Sequence, residues 1–415
     1  MHARYATRSS SIGGPALKRG PIVDRRYRGG AGMAERQGLA GADPYGPRAE
    51  YAGDDGRTLG GLAASGASAF RCVRSLVLAV VVLACGMTAP SRADAAASLT
   101  ETCYLFAYFY HDQEGEGLRL AWSPDGYNFE AIHNGASFLK PTVGESQIMR
   151  DPTIARGPDG TFHLVWTTSW DGKTIGHASS KDLIHWSAQQ AIPVMAHEPE
   201  AQNSWAPEIL WDEAKQHFLI YWSSTILGKF RETENTNRRP QRNHRIYSTT
   251  TKDFATFTPT RLHYDGGYNV IDAMIARNGP DDWLMFVKNE QLTPQTEKNI
   301  RLVRGRSPDG PWGEPSPRIT GDYWAEGPSA IKVGDEWRVY FDKHMVNAIG
   351  LVVSRDLETW MEVSDRATFP RDARHPCVIA VPRDVVANLL GSPRLGRPVS
   401  SGVIEDSEDE AVINR

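Results

Sequence analysis

Ser180-Lys181-Asp182-Leu183-Ile184-His185-Trp186 is one copy of a phrase that this chain uses five times. The others are Ser123-Pro124-Asp125-Gly126-Tyr127-Asn128-Phe129, Thr251-Lys252-Asp253-Phe254-Ala255-Thr256-Phe257, Ser307-Pro308-Asp309-Gly310-Pro311-Trp312 and Ser354-Arg355-Asp356-Leu357-Glu358-Thr359-Trp360. Ser or Thr, one residue, then Asp suits a tight turn, because these short side chains bond nearby backbone amides. The aromatic residue that follows anchors the next strand. The copies start 47 to 71 residues apart, near the ~40–50 residue period of propeller blades. The intervals carry short β-rich runs, Tyr104–Tyr110, Phe162–Thr167, Phe218–Ser223, Trp283–Val287 and Trp337–Phe341. They alternate or run apolar, as half-buried and buried strands do. Helical periodicity is confined to Asp384–Leu390. Five copies predict an all-β, five-bladed β-propeller. Its ring would close when the C-terminal run Cys377–Val381 joins the blade begun by Tyr104–Glu130, leaving no long sheet edge exposed.

The rest of the chain is of different composition. All twelve Trp lie between Trp122 and Trp360, while residues 1–70 are rich in Gly, Arg and Ala. Such a segment buries too little apolar surface to offset its ordering entropy. It is expected to be disordered, or to lie upstream of the true start. Residues 71–97 read as a signal peptide: Arg71 and Arg74, an apolar run from Leu76 to Cys85, and small residues ending in Ala93-Asp94-Ala95-Ala96-Ala97. A secreted or periplasmic protein is expected, with no membrane attachment after cleavage. The catalytic propeller would span 98–390, and the acidic tail 391–415 would be disordered. Cys103 and Cys377 survive signal removal; in an oxidising compartment they form a disulfide, or else they are two buried thiols. A net charge of −4 without a basic stripe offers nothing to nucleic acid. A monomer is expected.

Acidic residues recur at the strand entries. The chain reads Arg150-Asp151-Pro152, Trp205-Ala206-Pro207-Glu208, Ile271-Asp272-Ala273 and Glu326-Gly327-Pro328. Innermost propeller strands run beside the central channel, so these acids would converge on one mouth. Close like charges resist full ionisation and raise at least one pKa, which is what acid–base chemistry at neutral pH requires.

These motifs resemble glycoside hydrolase family 43, whose members include arabinanases, α-L-arabinofuranosidases, β-xylosidases and galactan-cleaving enzymes. The resemblance covers about Tyr104 to Pro382. It implies hydrolysis of a glycosidic bond with inversion, with Asp151 as general base, Glu326 as general acid, and Asp272 orienting that acid and tuning its pKa. Arg374-His375 is similar to the family's late His at the channel centre, which implies a site at His375 for water or a structural calcium ion; no other cofactor is implied. Ala273 departs from the family's Pro after the tuning Asp. Inversion leaves room for a water, so the base and acid carboxyls should stand ~6.5–9.5 Å apart. Asp272 would keep Glu326 protonated by repulsion.

Trp170, Trp205 and Trp324 are candidates for stacking on sugar faces, with blade packing as the alternative for each. Glu208, His244, Arg245 and His375 complete the expected substrate-binding set. His244 and Arg245 follow a polar insert, Arg231–Arg242, that would overhang the channel or lie as a solvated loop. The expected substrate is an arabinose-, xylose- or galactose-containing oligosaccharide or polysaccharide, cut from its end as by an α-L-arabinofuranosidase. Three other readings use the same architecture. A sialidase-like propeller needs an arginine cluster and a Tyr nucleophile paired with Glu. A fructan-cleaving propeller needs Asn-Asp-Pro-Asn and Glu-Cys motifs, which are absent. A non-catalytic carbohydrate-binding propeller would keep the aromatics and let the acids drift.

Overall fold

The computed structural model describes residues 102–234 and 242–392. The N-terminal extension, the segment 71–97 read as a signal peptide with Cys72 and Cys85, and the tail beyond Ser392 lie outside the described residues. The described chain begins with β1 (Thr102–Tyr110), β2 (Arg119–Ser123) and β3 (Glu130–Ala131). Three blades follow: β4 (Arg150–Arg156), β5 (Phe162–Thr167), β6 (Ile175–Ser180) and β7 (Gln190–Ile192); β8 (Trp205–Asp212), β9 (His217–Thr225), β10 (His244–Thr251) and β11 (Arg261–Tyr264); and β12 (Val270–Gly279), β13 (Asp282–Asn289) and β14 (Asn299–Gly305). The fourth holds β15 (Ala325–Val333), β16 (Glu336–Lys343), β17 (Ala348–Ser354) and β18 (Met361–Glu362). Then β19 (Ala373–Pro382) returns to pair antiparallel with β1, giving the sheet order β19-β1-β2-β3. Helix α1 (Arg383–Gly391) ends the described chain. This is a five-bladed propeller closed by the last strand, as the repeat predicts.

Five apolar clusters glue the five sheets, one at each junction. Side chains alternate across a strand with period two, so each middle strand serves two junctions. On β9, Phe218, Ile220 and Trp222 face β5 and β6, packing with Val165 and Ile175. The residues between them, Leu219 and Tyr221, face β13 and pack with Met285 and Val287. Leu284 and Phe286 take the opposite face and meet Val339 and Phe341 of β16. Tyr340 then meets Phe106 and Tyr108 of β1. Leu105, on the other face of β1, closes the circle with Leu164 and Trp166 of β5. Both faces of every middle strand are thus dry, which is why these runs read as nearly continuous apolar sequence rather than a half-polar alternation.

The repeated phrase is the turn that leads out of each blade's third strand. Ser180 Oγ accepts from the amides of Asp182 and Leu183, while Asp182 Oδ1 accepts from the amides of Ile184 and His185. Ser123 with Asp125, Thr251 with Asp253, and Ser354 with Asp356 build the same turn. The residue after Asp is left-handed in all five copies: Gly126, Leu183, Phe254, Gly310 and Leu357. Three are large and apolar, and Leu183 is fully buried, so packing offsets a conformation that glycine adopts at no steric cost. The Ser307 copy differs. Its Asp309 pairs with Lys215 and Arg261 instead, and β14 leads only to isolated bridges, so this blade has three strands.

The disulfide alternative is corrected. Cys103 and Cys377 are both free and buried. In the β1–β19 register Cys103 faces Val381, whereas Cys377 faces Ala107. Four residues along a strand are about 14 Å, twice the ~7 Å limit for bridging. Cys377 Sγ instead accepts from the Ile154 amide at 3.3 Å. Thermal melting curves with and without reductant will therefore coincide; a midpoint that drops on reduction contradicts the two-thiol arrangement.

Candidate active site

The innermost strands β4, β8, β12, β15 and β19 pack side by side around the channel, and each carries a β-bulge near its start. One residue of each bulge is left-handed: Asp151 (φ 50°), Ala206 (φ 45°), Asp272 (φ 52°), Gly327 (φ 57°) and His375 (φ 50°). A bulge adds one residue, twists the strand and re-aims a side chain. Asp and His are among the non-glycine residues that enter this region most readily. At Gly327 a Cβ would stand 2.8 Å from His375 Nδ1, so close approach of the imidazole requires glycine.

Side chains of neighbouring blades hold these bulges. Thr167 Oγ1, at the end of β5, donates to Asp151 Oδ2 and accepts from the Ala206 amide, both at 2.8 Å. Ser223 Oγ accepts from the Asp272 amide at 3.1 Å. Asp272 Oδ2 accepts from the Gly327 amide at 3.0 Å. Asp342 Oδ2 accepts from the His375 amide at 3.0 Å and from Arg374 Nε at 2.9 Å. Four of the five blades therefore set the entry of the next, and Asp151 is held by Thr167 of its own blade.

Aligned on the bulges, the four acids occupy three levels instead of one shared position. Asp151 and Asp272 are the left-handed residues themselves. Glu326 precedes its bulge glycine. Glu208 lies two residues beyond Ala206, at the same level as Thr153, whose Oγ1 donates to Glu208 Oε1 at 3.1 Å. Asp151, Asp272 and Glu326 line one cavity of about 410 Å³, together with His375. Glu208 does not line it. Burial pushes its carboxyl up to about 8 against the opposing effect of His375, so it is a neutral acid beneath the site at pH 7.

The proton distribution differs from the expected one. Burial would raise Glu326, but Lys288 Nζ at 2.7 Å from Oε2 and His344 Nδ1 at 2.7 Å from Oε1 hold it well below the usual carboxylate range. Arg374 also donates to Oε1 at 3.0 Å. Asp272 is raised to about 6 by burial, with His375 and Lys288 opposing and the Glu326 and Asp151 charges assisting. In the free site the Asp272–Glu326 pair therefore carries its proton on Asp272, the reverse of the sequence expectation. Burial lowers the affinity of His375 for a proton, yet Asp151, Asp272 and Asp342 outweigh it and raise the imidazole above its ordinary value. Its Nδ1 stands 3.3 Å from Asp151 Oδ1. Lys288 is buried and still held protonated by Glu290, Glu326 and Asp272.

The cavity wall is made of aromatic rings interleaved with cations. The Arg150 guanidinium lies 4.0 Å over Trp170, and that of Arg242 4.6 Å over Trp205. Trp205 also meets the edge of Trp170 and the ring of His244. Trp324 has His344 stacked on it at 6.3 Å and Lys298 Nζ 5.4 Å from its centroid. Trp170, Trp205, Trp324 and His244 thus line the cavity, and the three Trp are placed by cation–π contacts. Arg245 does not reach it. Its side chain is fully buried, bonded to Asp265, Asn243 and Thr233 and stacked on Phe230; it fastens the described ends of the polar insert, whose residues 235–241 lie outside the described residues. Arg245 faces away from the cavity because it neighbours His244, and strand neighbours point to opposite faces.

Lys288, His344, Lys298 and Asn269 line the cavity without having been singled out in the sequence. Lys288 carried a signal: a lone cation closing the apolar run Trp283–Val287 is costly to bury without a partner. Among the described residues no group of three or more His, Cys, Asp or Glu is arranged to hold a metal ion. His375 offers one nitrogen and its neighbouring Asp151 is engaged, a poor match for the oxygen-rich shell that calcium prefers.

A closed propeller with a carboxylate-lined cavity at the entries of its inner strands defines the class of protein. Residues 100–386 match the family-43-related model described as "Probable glycosyl hydrolase domain", and the chain belongs to that family. An α-L-arabinofuranosidase of Bifidobacterium longum is 23% identical over 248 residues, 51% of this chain. The matched stretch spans only 22% of that relative. Among solved structures, an α-L-arabinofuranosidase from Lactobacillus brevis aligns with 15% identity and a TM-score of 0.40, covering 52% of this chain and 72% of that one. An exo-β-1,3-galactanase from Clostridium thermocellum aligns with 14% identity and a TM-score of 0.41, covering 52% and 48%.

Thr167 bonds both Asp151 and the Ala206 amide, so Thr167→Val will lower unfolding free energy by about 1–3 kcal/mol, the cost of stranding buried polar groups. Urea titration checks this; an unchanged midpoint would show that the two bulges do not depend on the hydroxyl.

Proposed function

We propose that this chain hydrolyses a terminal glycosidic bond with inversion. The observation that carries the reading is that Asp151, Asp272 and Glu326, delivered by three different blades, face one cavity. Asp151, held by Thr167 and His375, is the base that activates water. Glu326 is the acid that protonates the leaving oxygen. Asp272 and Glu326 share a proton, so their titration belongs to the pair; the form with the proton on Glu326 is the reactive one. Lys288 and His344 fix the Glu326 carboxyl in place, and entry of the leaving group beside them would weaken their hold on the carboxylate and favour its protonation.

Charge matching supports a neutral terminal sugar. Arg150 pairs with Glu114, Arg242 with Asp171, Lys298 with Glu290, and Lys288 with Glu290 and Glu326. A sialidase-like site needs arginines free to grip a substrate carboxylate, and here the two cavity-lining arginines already have acids. Arabinofuranose is the favoured sugar, with xylose and galactose as the other members of the panel. Export to the periplasm or medium and action as a monomer complete the proposal.

Aryl glycosides of arabinofuranose, xylopyranose and galactopyranose test it directly. At least one will be turned over, and Asp151→Asn and Glu326→Gln will each lower kcat by about 10²–10⁴-fold. Retained sugar binding with no turnover of any glycoside by the unmodified chain would favour the binding-propeller reading instead. The pH profile follows from the shared proton. Asp272 is raised to about 6, so kcat/KM will fall as pH rises through that region and the pair loses its proton. In Asp272→Asn that limb will move or vanish; an identical alkaline limb in the variant would remove Asp272 from the titration.

A further inference from the structure

His244 lines the cavity, yet it is only 2% exposed and has no role in the proton transfers above. The tautomer of its imidazole is fixed by the surrounding bonds. Asn269 is fully buried. Its Nδ2 donates to the Arg242 carbonyl at 3.1 Å, and its Oδ1 accepts from the His244 amide at 2.9 Å. Those two backbone groups settle which end of the amide is oxygen. The His244 Nδ1 that lies 3.2 Å from the same Oδ1 must therefore be the donor. Burial holds the ring neutral, lowering its pKa to about 3. A neutral imidazole that donates through Nδ1 carries a bare lone pair on Nε2. That atom is buried and has no hydrogen-bond partner among the described residues.

An unpaired buried acceptor is destabilising. The protein keeps it at the wall of a cavity, beside Trp205, whose ring lies 5.0 Å from the imidazole. Arg242 packs on the same Trp205 ring, and its Nη1 is likewise without a partner among the described residues. One wall thus offers an acceptor that cannot donate and a donor that cannot accept.

We propose that His244 is a specificity-determining residue whose Nε2 accepts a hydrogen bond from a hydroxyl of the sugar in this cavity, with Arg242 Nη1 donating to another oxygen of that sugar. The ligand class is a neutral monosaccharide unit bearing a free hydroxyl at that place. This rests on the reading that the cavity takes a terminal sugar, but not on the sugar being cleaved. The site discriminates by chemistry: a hydroxyl can donate to Nε2, whereas a methoxy group, a deoxy carbon or a carboxylate cannot. Asn269 acts through His244, as the group that keeps the proton on Nδ1.

The test uses the purified full chain with L-arabinose, D-xylose and D-galactose as probes, read by titration calorimetry and by ¹⁵N NMR of the imidazole nitrogens. At neutral pH Nε2 of His244 will be unprotonated, and its resonance will move as at least one of the three sugars saturates the site. His244→Phe will weaken that sugar about tenfold, the loss of one hydrogen bond, and His244→Gln, which supplies an acceptor oxygen, will recover most of the affinity. A protonated Nε2, a resonance unmoved at saturation, equal affinity in the Phe variant, or no binding of any of the three sugars overturns the inference. Should the Phe variant fail to fold, the NMR measurement on the unmodified chain decides. A chain that binds sugar through His244 but hydrolyses no aryl glycoside supports this inference and removes the hydrolase reading.

Discussion

The site depends on a bond that crosses between blades: a side chain from one blade holds the left-handed bulge that opens the inner strand of another. Thr167 holds Ala206, Ser223 holds Asp272, Asp272 holds Gly327, and Asp342 holds His375. Left-handed non-glycine backbone persists only where its surroundings over-determine it. Here the bonds sit at the rim of five dry junctions whose close packing allows little slack. Strain and packing therefore meet at the place where carboxylates must be aimed. Asp272 takes part in both: its backbone is a bulge, its amide is held, and its carboxylate holds the next bulge.

The same crowding explains the electrostatics. Asp151, Asp272, Glu326, Asp342 and Glu208 are brought close in a buried region, and that many ionised acids would repel strongly. The structure resolves this by graded partnership. Glu326 is matched by Lys288, His344 and Arg374 and stays a carboxylate. Asp342 is raised by burial even though Arg374 pairs with it. Asp272 and Glu208, with fewer cations in contact, are pushed up to about 6 and about 8. His375, at the centre, is drawn toward its charged form by acids on several sides. Environments that drive neighbouring carboxyls apart in pKa are the usual mark of acid–base machinery.

The fold was legible because its signals are local. The Ser-x-Asp turn states its own hydrogen bonds within a few residues, and the alternation of side chains between two dry junctions on strands such as β9 and β13 follows from period two. The convergence of Asp151, Asp272 and Glu326 could be read once a ring was inferred. Their different levels could not, because a bulge adds one residue without any obligatory sequence mark; only the small or Pro residues after the bulge hint at it. The levels decide which acids see the cavity, and they turn Glu208 inward beneath it. The Arg245 expectation failed for a simpler reason: its neighbour His244 already points to the channel. Lys288 and His344 went unseen because each sits at the end of a second strand, Lys288 among the last residues of β13 and His344 just past β16, while the motifs that drew attention sit on first strands. The proton distribution was beyond reach, since it depends on Lys288, Arg374 and His344, from three separate stretches, meeting one carboxylate.

The central claim is that Asp151 and Glu326 act across one cavity on opposite faces of a sugar, with a water between base and anomeric carbon. The most direct measurement is proton NMR of the first-formed sugar during hydrolysis of whichever aryl glycoside the chain turns over, before mutarotation scrambles the product. Inversion at the anomeric carbon is the predicted result. A first product with the anomeric configuration of the substrate would place a nucleophile, not a water, opposite Glu326, and would contradict the account.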